Sequence, residues 1–169
     1  YKGLPLLAGQ GMIDITGKPL ASMAFMQTVW GLRKKPFIAV SPLNHADETP
    51  STGAWQFTNG IDSWTWHGYE GKTATVEVYA DADTVRLELN GKSVGTKKVK
   101  NCRAVFKTAY LPGTLTAVTL DKAGREVSRS FLATGGKEIR LTVRSETYGE
   151  LTFLTAEFTD ENGTLLPYI

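Results

Sequence analysis

The chain is 169 residues long, which at roughly 100 to 200 residues per domain is one full domain with room for part of another. Its 41% hydrophobic and 21% charged residues belong to a globular chain that can bury a core, not to a disordered one. Lys plus Arg number 19 against 17 for Asp plus Glu, with no basic block, so neither nucleic acid nor an anionic membrane is expected as a partner.

No apolar run approaches the roughly 18 residues of a membrane helix. The opening at Tyr1 and the stop at Pro167-Tyr168-Ile169, directly after a turn signal, are expected to be cuts in a longer polypeptide. The single cysteine, Cys102, excludes an internal disulfide, a CxxC pair and a thiolate zinc site, and is expected to act as a small hydrophobe.

In chain order, the first element is a helix between Gly17 and Trp30. Leu20, Ala21, Met23, Ala24, Phe25, Met26 and Val29 lack β-alternation. Thr16 or Gly17 suits the N-cap, Pro19 the first turn and Gly31 a left-handed stop. Its apolar residues cover more than one stripe, which predicts burial on several sides. From Leu32 to Gly71 the texture is that of a linker, interrupted by a short apolar strand, Phe37 to Val40.

From Thr73 the hydrophobic period switches to two. Val76 and Val78 alternate with Thr75, Glu77 and Tyr79; Val85, Leu87 and Leu89 alternate with Arg86 and Glu88. Asn90-Gly91 follows at once, the strongest short hairpin signal, because both central positions of a type I′ turn need positive φ. Further alternating runs span 103–108, 115–120, 126–132, 139–143 and 151–158. Leu111-Pro112-Gly113, Asp121-Lys122-Ala123-Gly124, Thr134-Gly135-Gly136 and Asp160-Glu161-Asn162-Gly163 separate them as turns. This predicts a mainly β fold, an immunoglobulin-like antiparallel β-sandwich. The expected core is Val76, Val78, Val85, Leu87, Leu89, Val105, Leu115, Ala117, Val127 and Phe131. The boundaries fall at 1–35, 36–136 and 137–169, with Gly135-Gly136 as the hinge before a further β domain.

Hydrolysis of a glycoside with retention needs two carboxyl groups about 5 to 5.5 Å apart, one protonated and one ionised. Here Glu77, Glu88 and Glu126 alternate outward on strands, while Asp81, Asp83, Asp121 and Asp160 are turn residues; Asp14 lies just ahead of the helix. No catalytic residue is therefore assigned. His45 and His67 lack companions at metal spacing, and no phosphate, dinucleotide or HExxH motif occurs, so neither a metal nor a cofactor is expected. The most informative cluster is aromatic. Trp55, Phe57, Trp64, Trp66 and Tyr69 lie among Asn59, Asp62, His67 and Glu70. Flat rings bordered by polar groups suit a pyranose, which makes Trp55, Trp64, Trp66 and Tyr69 candidate carbohydrate contacts; packing inside the sandwich is the rival reading and the favoured one.

These residues resemble the family 2 glycoside hydrolases, the β-galactosidase-like enzymes with a catalytic TIM barrel followed by β-sandwich domains. Gly11 to Pro19 and the apolar helix ending at Trp30 are similar to the segment that finishes the last barrel turn and helix. Trp64-Thr65-Trp66 with Gly71-Lys72, then Val76 to Tyr79 and Val85 to Gly95, resemble the accessory immunoglobulin-like domain that follows. Residues from Ile139 onward look like the first strands of another sandwich. The sequence departs from the family at Ser63, where His is common, at Asp81, where Asn is common, and in the length of the stretch from Asn44 to Asp62. The resemblance implies a bacterial parent enzyme acting on β-galactosides or related β-glycosides, whose catalytic glutamates lie upstream of Tyr1. This chain is then a non-catalytic accessory region, partnered by the upstream barrel and neighbouring β domains. An autonomous carbohydrate-binding module, contacting sugar weakly through the tryptophan-rich loop, is the alternative.

Overall fold

A computed structural model of the protein describes residues 11–13, 17–46 and 57–166. Among the described residues, one α-helix, α1 (Ala21–Val29), precedes nine strands: β1 (Phe37–Val40), β2 (Thr73–Tyr79), β3 (Thr84–Leu89), β4 (Lys92–Lys98), β5 (Arg103–Ala109), β6 (Thr114–Leu120), β7 (Glu126–Ala133), β8 (Arg140–Tyr148) and β9 (Leu151–Thr159), with a short 3-10 turn at Leu43–His45. The fold is mainly β, and the paired strands run antiparallel.

Two sheets make a sandwich, one in the order β1-β2-β5 and the other β4-β3-β6-β7. The period of two sends Ile38, Val40, Val76, Val78, Ala104 and Phe106 inward from the first. Val85, Leu87, Leu89, Leu115 and Ala117 meet them from the second, all of them buried in one cluster. Asn90 (φ 52) and Gly91 (φ 75) join β3 to β4 as the two-residue turn that the sequence predicts. A second left-handed pair was not legible: Asn101 (φ 49) and Cys102 (φ 58) turn the chain into β5, and the Cys102 carbonyl accepts the Ala80 N–H.

Three expected core residues lie elsewhere. Val76 pairs with Phe106 and Val78 with Ala104, so those two β5 residues face the core. Val105 falls opposite Glu77 on the other face. On β7, Leu115 pairs with Leu132 and Ala117 with Ser130, which turns Leu132 inward. Phe131 points outward beside Thr116. Val127 shares the outward parity of Arg129 and Phe131 and is skipped at the register shift beside Thr119/Leu120, and Val127 and Phe131 are 64% and 66% exposed. Val118, on the outward face, is nonetheless fully buried. Its cross-strand neighbours are Arg86 and Arg129.

The helix begins later than its cap signals suggest. Gly17 sits at φ 87, Pro19 bridges to Ile13, and Leu20 donates its N–H to the Met12 carbonyl, so Leu20 becomes the N-cap without a side-chain bond. Thr16, the other candidate cap, lies outside the described residues, as does Asp14. The stop is as expected: Gly31 (φ 69) donates to Thr28 and Leu32 to Gln27, a Schellman motif. Burial runs round the helix from Ala21 to Thr28, where no residue is exposed. Ala21, Ser22, Ala24 and Thr28 are covered, whereas Val29 and Trp30 remain about half exposed. Ala21, Ala24 and Phe25 pack with Phe57 over Ala39 and Tyr79, adding a third layer outside β1 and β2.

β8 and β9 form a separate two-stranded sheet, longer at β8 than the sequence predicts. One of its faces carries Leu141, Val143, Leu154, Ala156 and Phe158, all exposed apart from their own cross-strand contacts.

Candidate functional site

The tryptophan segment lies across one end of the sandwich and is zipped to it at each residue. Trp64 is fully buried, donates its indole N–H to the Leu111 carbonyl at 3.0 Å and meets Tyr110 edge-on at 5.0 Å between ring centres. Its own carbonyl accepts the Thr134 hydroxyl at 2.8 Å. The Trp66 N–H donates to the Tyr110 hydroxyl at 3.1 Å, and Trp66 is 2% exposed. Of the four candidate sugar contacts, Trp64 and Trp66 are therefore core side chains. Trp64 presents no ring face to solvent. Tyr69 is half-buried against the same cluster, and Trp55 lies outside the described residues.

Beside this segment is a cavity of about 500 Å³, lined by Asn44, Trp66, His67, Tyr69, Lys137 and Ile139 among others. It brings together two of the four aromatic candidates, each by part of its surface. The Asn44 carboxamide oxygen is buried without a hydrogen-bond partner among the described residues. The far wall is the Gly135-Gly136 junction. Gly135 N–H donates to the Thr65 hydroxyl at 2.9 Å, Gly136 N–H donates to Asp160 Oδ2 at 2.7 Å, and His67 Nε2 lies 3.2 Å from the Gly136 carbonyl oxygen.

Asp160 is 2% exposed. Its Oδ1 accepts the N–H groups of Asn162 at 2.8 Å and Thr164 at 2.6 Å. Burial alone would raise its pKa. The N–H bonds from Gly136, Thr164 and Asn162, with the Thr164 hydroxyl, outweigh burial and bring it down to about 2. The sequence marked Asp160 as a turn residue, which it is; that one oxygen also reaches Gly136 was not legible from local chemistry.

A second departure is Glu77. Its expected place is an outward, solvated strand face, but α1 and Phe57 cover that face and leave it 6% exposed. The carboxylate accepts from Tyr79 at 2.8 Å and from Thr58 at 3.3 Å, and pairs with Arg103 at 2.9 Å. Burial, then the charge of Glu77, pushes the Tyr79 hydroxyl far above the ordinary phenol range, so it stays a donor. Both carboxylate oxygens are thus engaged, which suits a structural pair rather than a proton-transfer group. One signal did exist. An apolar helix needs a sheet face to cover, and the outward residues of β2 include Tyr79.

Among the described residues, no group of three or more His, Cys, Asp or Glu side chains could hold a metal ion. Comparison with known proteins gives several matches. Residues 71–128 match a family model described as a domain of unknown function, DUF4982. The β-galactosidase BoGH2A of Bacteroides ovatus is 29% identical over 167 residues, covering 93% of this chain and 17% of that protein. A solved glycosyl hydrolase family 2 member from Bacteroides cellulosilyticus superposes with a TM-score of 0.74 at 31% identity, over 94% of this chain and 22% of its own. A β-glycosidase from Bacteroides vulgatus gives 0.65 at 26% identity, with 94% and 18% covered.

These matches make the chain a segment of the family 2 glycoside hydrolase architecture. It spans about a fifth of the length of the relatives it matches.

Proposed function

We propose that this chain is a non-catalytic accessory region of a family 2 glycoside hydrolase, a β-sandwich that spaces and orients neighbouring parts of an enzyme acting on β-galactosides or related β-glycosides. The observation that carries the reading is the alignment of nearly the whole chain with about a fifth of such enzymes. The internal use of Glu77, the one buried glutamate among the described residues, supports it. Its partners are then the catalytic barrel and the adjoining β domains of the parent enzyme. The chain mixed with an aryl β-galactoside, at any pH between about 4 and 8, should release no phenol above the buffer rate. Turnover that disappears on replacing a single carboxylate would overturn the proposal.

A second reading, sugar binding, is favoured by the cavity between Tyr69, Trp66, His67 and Asn44. Calorimetric titration with galactose, lactose and soluble β-glycans tests it. Heat removed by Tyr69→Ala and by His67→Ala supports a sugar site there, and no heat leaves the spacer role alone.

A further inference from the structure

The stretch that the sequence presents as a hinge is hydrogen-bonded on both sides. A methyl group on Gly135 would collide, its Cβ lying 2.7 Å from Leu166 Cδ2, while one on Gly136 would meet first the carboxylate of the exposed Glu161 side chain, which can swing aside. Both contacts come from the turn after β9, and Leu166 is itself 7% exposed. The two N–H groups of the pair point to opposite units, Gly135 to Thr65 of the tryptophan segment and Gly136 to Asp160 of the distal turn.

Asp160 divides its oxygens by task. Oδ1 closes its own turn through Asn162 and Thr164, and Oδ2 alone crosses to Gly136. The turn is reinforced by its backbone, with Asp160 N–H donating to Thr164 and Gly163 N–H to Asp160. The turn is therefore rigid before it meets the junction, and a rigid acceptor loses little entropy on docking. Leu166 N–H donates to Phe158, which returns the chain to the edge of β9 and seats the leucine over Gly135. A buried, ionised carboxylate accepting an N–H is worth more than a neutral pair, and an N–H deprived of its acceptor in that site costs the full desolvation.

We propose that Asp160 is a positioning residue that fixes the orientation of the β8–β9 unit on the sandwich, by holding the Gly136 N–H while Thr65 holds that of Gly135. The inference rests on the accessory reading for its purpose, since a spacer transmits orientation only if its joints are stiff. Its geometry is independent of that reading.

The substitution Asp160→Asn separates the two tasks. Asparagine keeps an oxygen for Asn162 and Thr164 but puts an NH2 opposite the Gly136 N–H, donor against donor. Amide hydrogen exchange on the whole chain should show Gly136 protection falling by about tenfold or more, with Asn162, Thr164 and the β2 and β3 amides unchanged. Residual dipolar couplings of the two units should fit one alignment tensor in the native chain and need two in Asp160→Asn. Thr65→Val, which removes the other acceptor and keeps the shape, should loosen Gly135 in the same way. Unchanged Gly136 exchange with a single tensor overturns the proposal. Loss of protection spread through β2 and β3 overturns it too, because Asp160 would then serve global stability. Hydrolysis or sugar binding by the chain would revise the accessory reading and leave these outcomes untouched.

Discussion

At single residues, the consequence of backbone geometry is open to direct test at Gly91. Its φ of 75 lies in the left-handed region, and a Cβ there would meet nothing within 4 Å, so strain is the only penalty of a larger residue. Gly91→Val should destabilise by about 1 to 3 kcal/mol, read as a lower urea midpoint. Asp160 offers a pH test. Its folded pKa of about 2 lies below the roughly 3.9 of an ordinary aspartate, so on acidification the unfolded chain takes up that proton first. The stabilisation is complete above about pH 4 and is lost as the pH falls through about 2. The difference in Gly136 amide protection between the native chain and Asp160→Asn should be constant near neutrality and shrink between about pH 4 and 2; a difference that grows on acidification would contradict the assignment.

At the level of elements, the outer face of β2 shows how a helix changes the meaning of a strand pattern. Alternation correctly separates Val76 and Val78 from Glu77 and Tyr79, yet both faces are covered, one by the opposing sheet and one by α1. Phe25 lies 4.8 Å from Phe57 and 5.4 Å from Tyr79, each edge-on. Glu77→Ala would leave the Tyr79 hydroxyl and Arg103 without their acceptor. Breaking a buried pair costs about 3 to 5 kcal/mol, and the lower end is expected because Arg103 is 38% exposed. Chemical unfolding followed by tryptophan fluorescence measures it. Glu126→Ala, whose partner Arg129 is in solvent, should leave the midpoint unchanged. The hairpin turn, β1 and the Schellman stop were legible because their chemistry is local. The inward face of β7 was not, because Glu126 to Ala133 carries Val127, Phe131 and Leu132 on both parities and only pairing with β6 chooses between them.

For the whole molecule, the core runs through the seven-stranded sandwich and the tryptophan segment, while β8 and β9 contribute none of the buried hydrophobic cluster. A chain ending after Gly136 should keep a single cooperative transition with nearly the native urea midpoint, since it loses the Asp160 and Leu166 contacts but no core strand. A collapse of the transition would show that the distal unit is part of one folding unit with the sandwich. The sequence by itself determined the class of the protein, its antiparallel strands, its turns and its family resemblance, because these follow from periodicity two, from positive-φ residues and from motifs within a few positions of one another. Only the tertiary structure decided which faces are covered, that Trp64 and Trp66 fill the end of the sandwich, and that Gly135-Gly136 is clamped by Thr65 and Asp160. Those outcomes depend on groups 24 to 70 residues apart in the chain, and no local preference of either partner encodes the other.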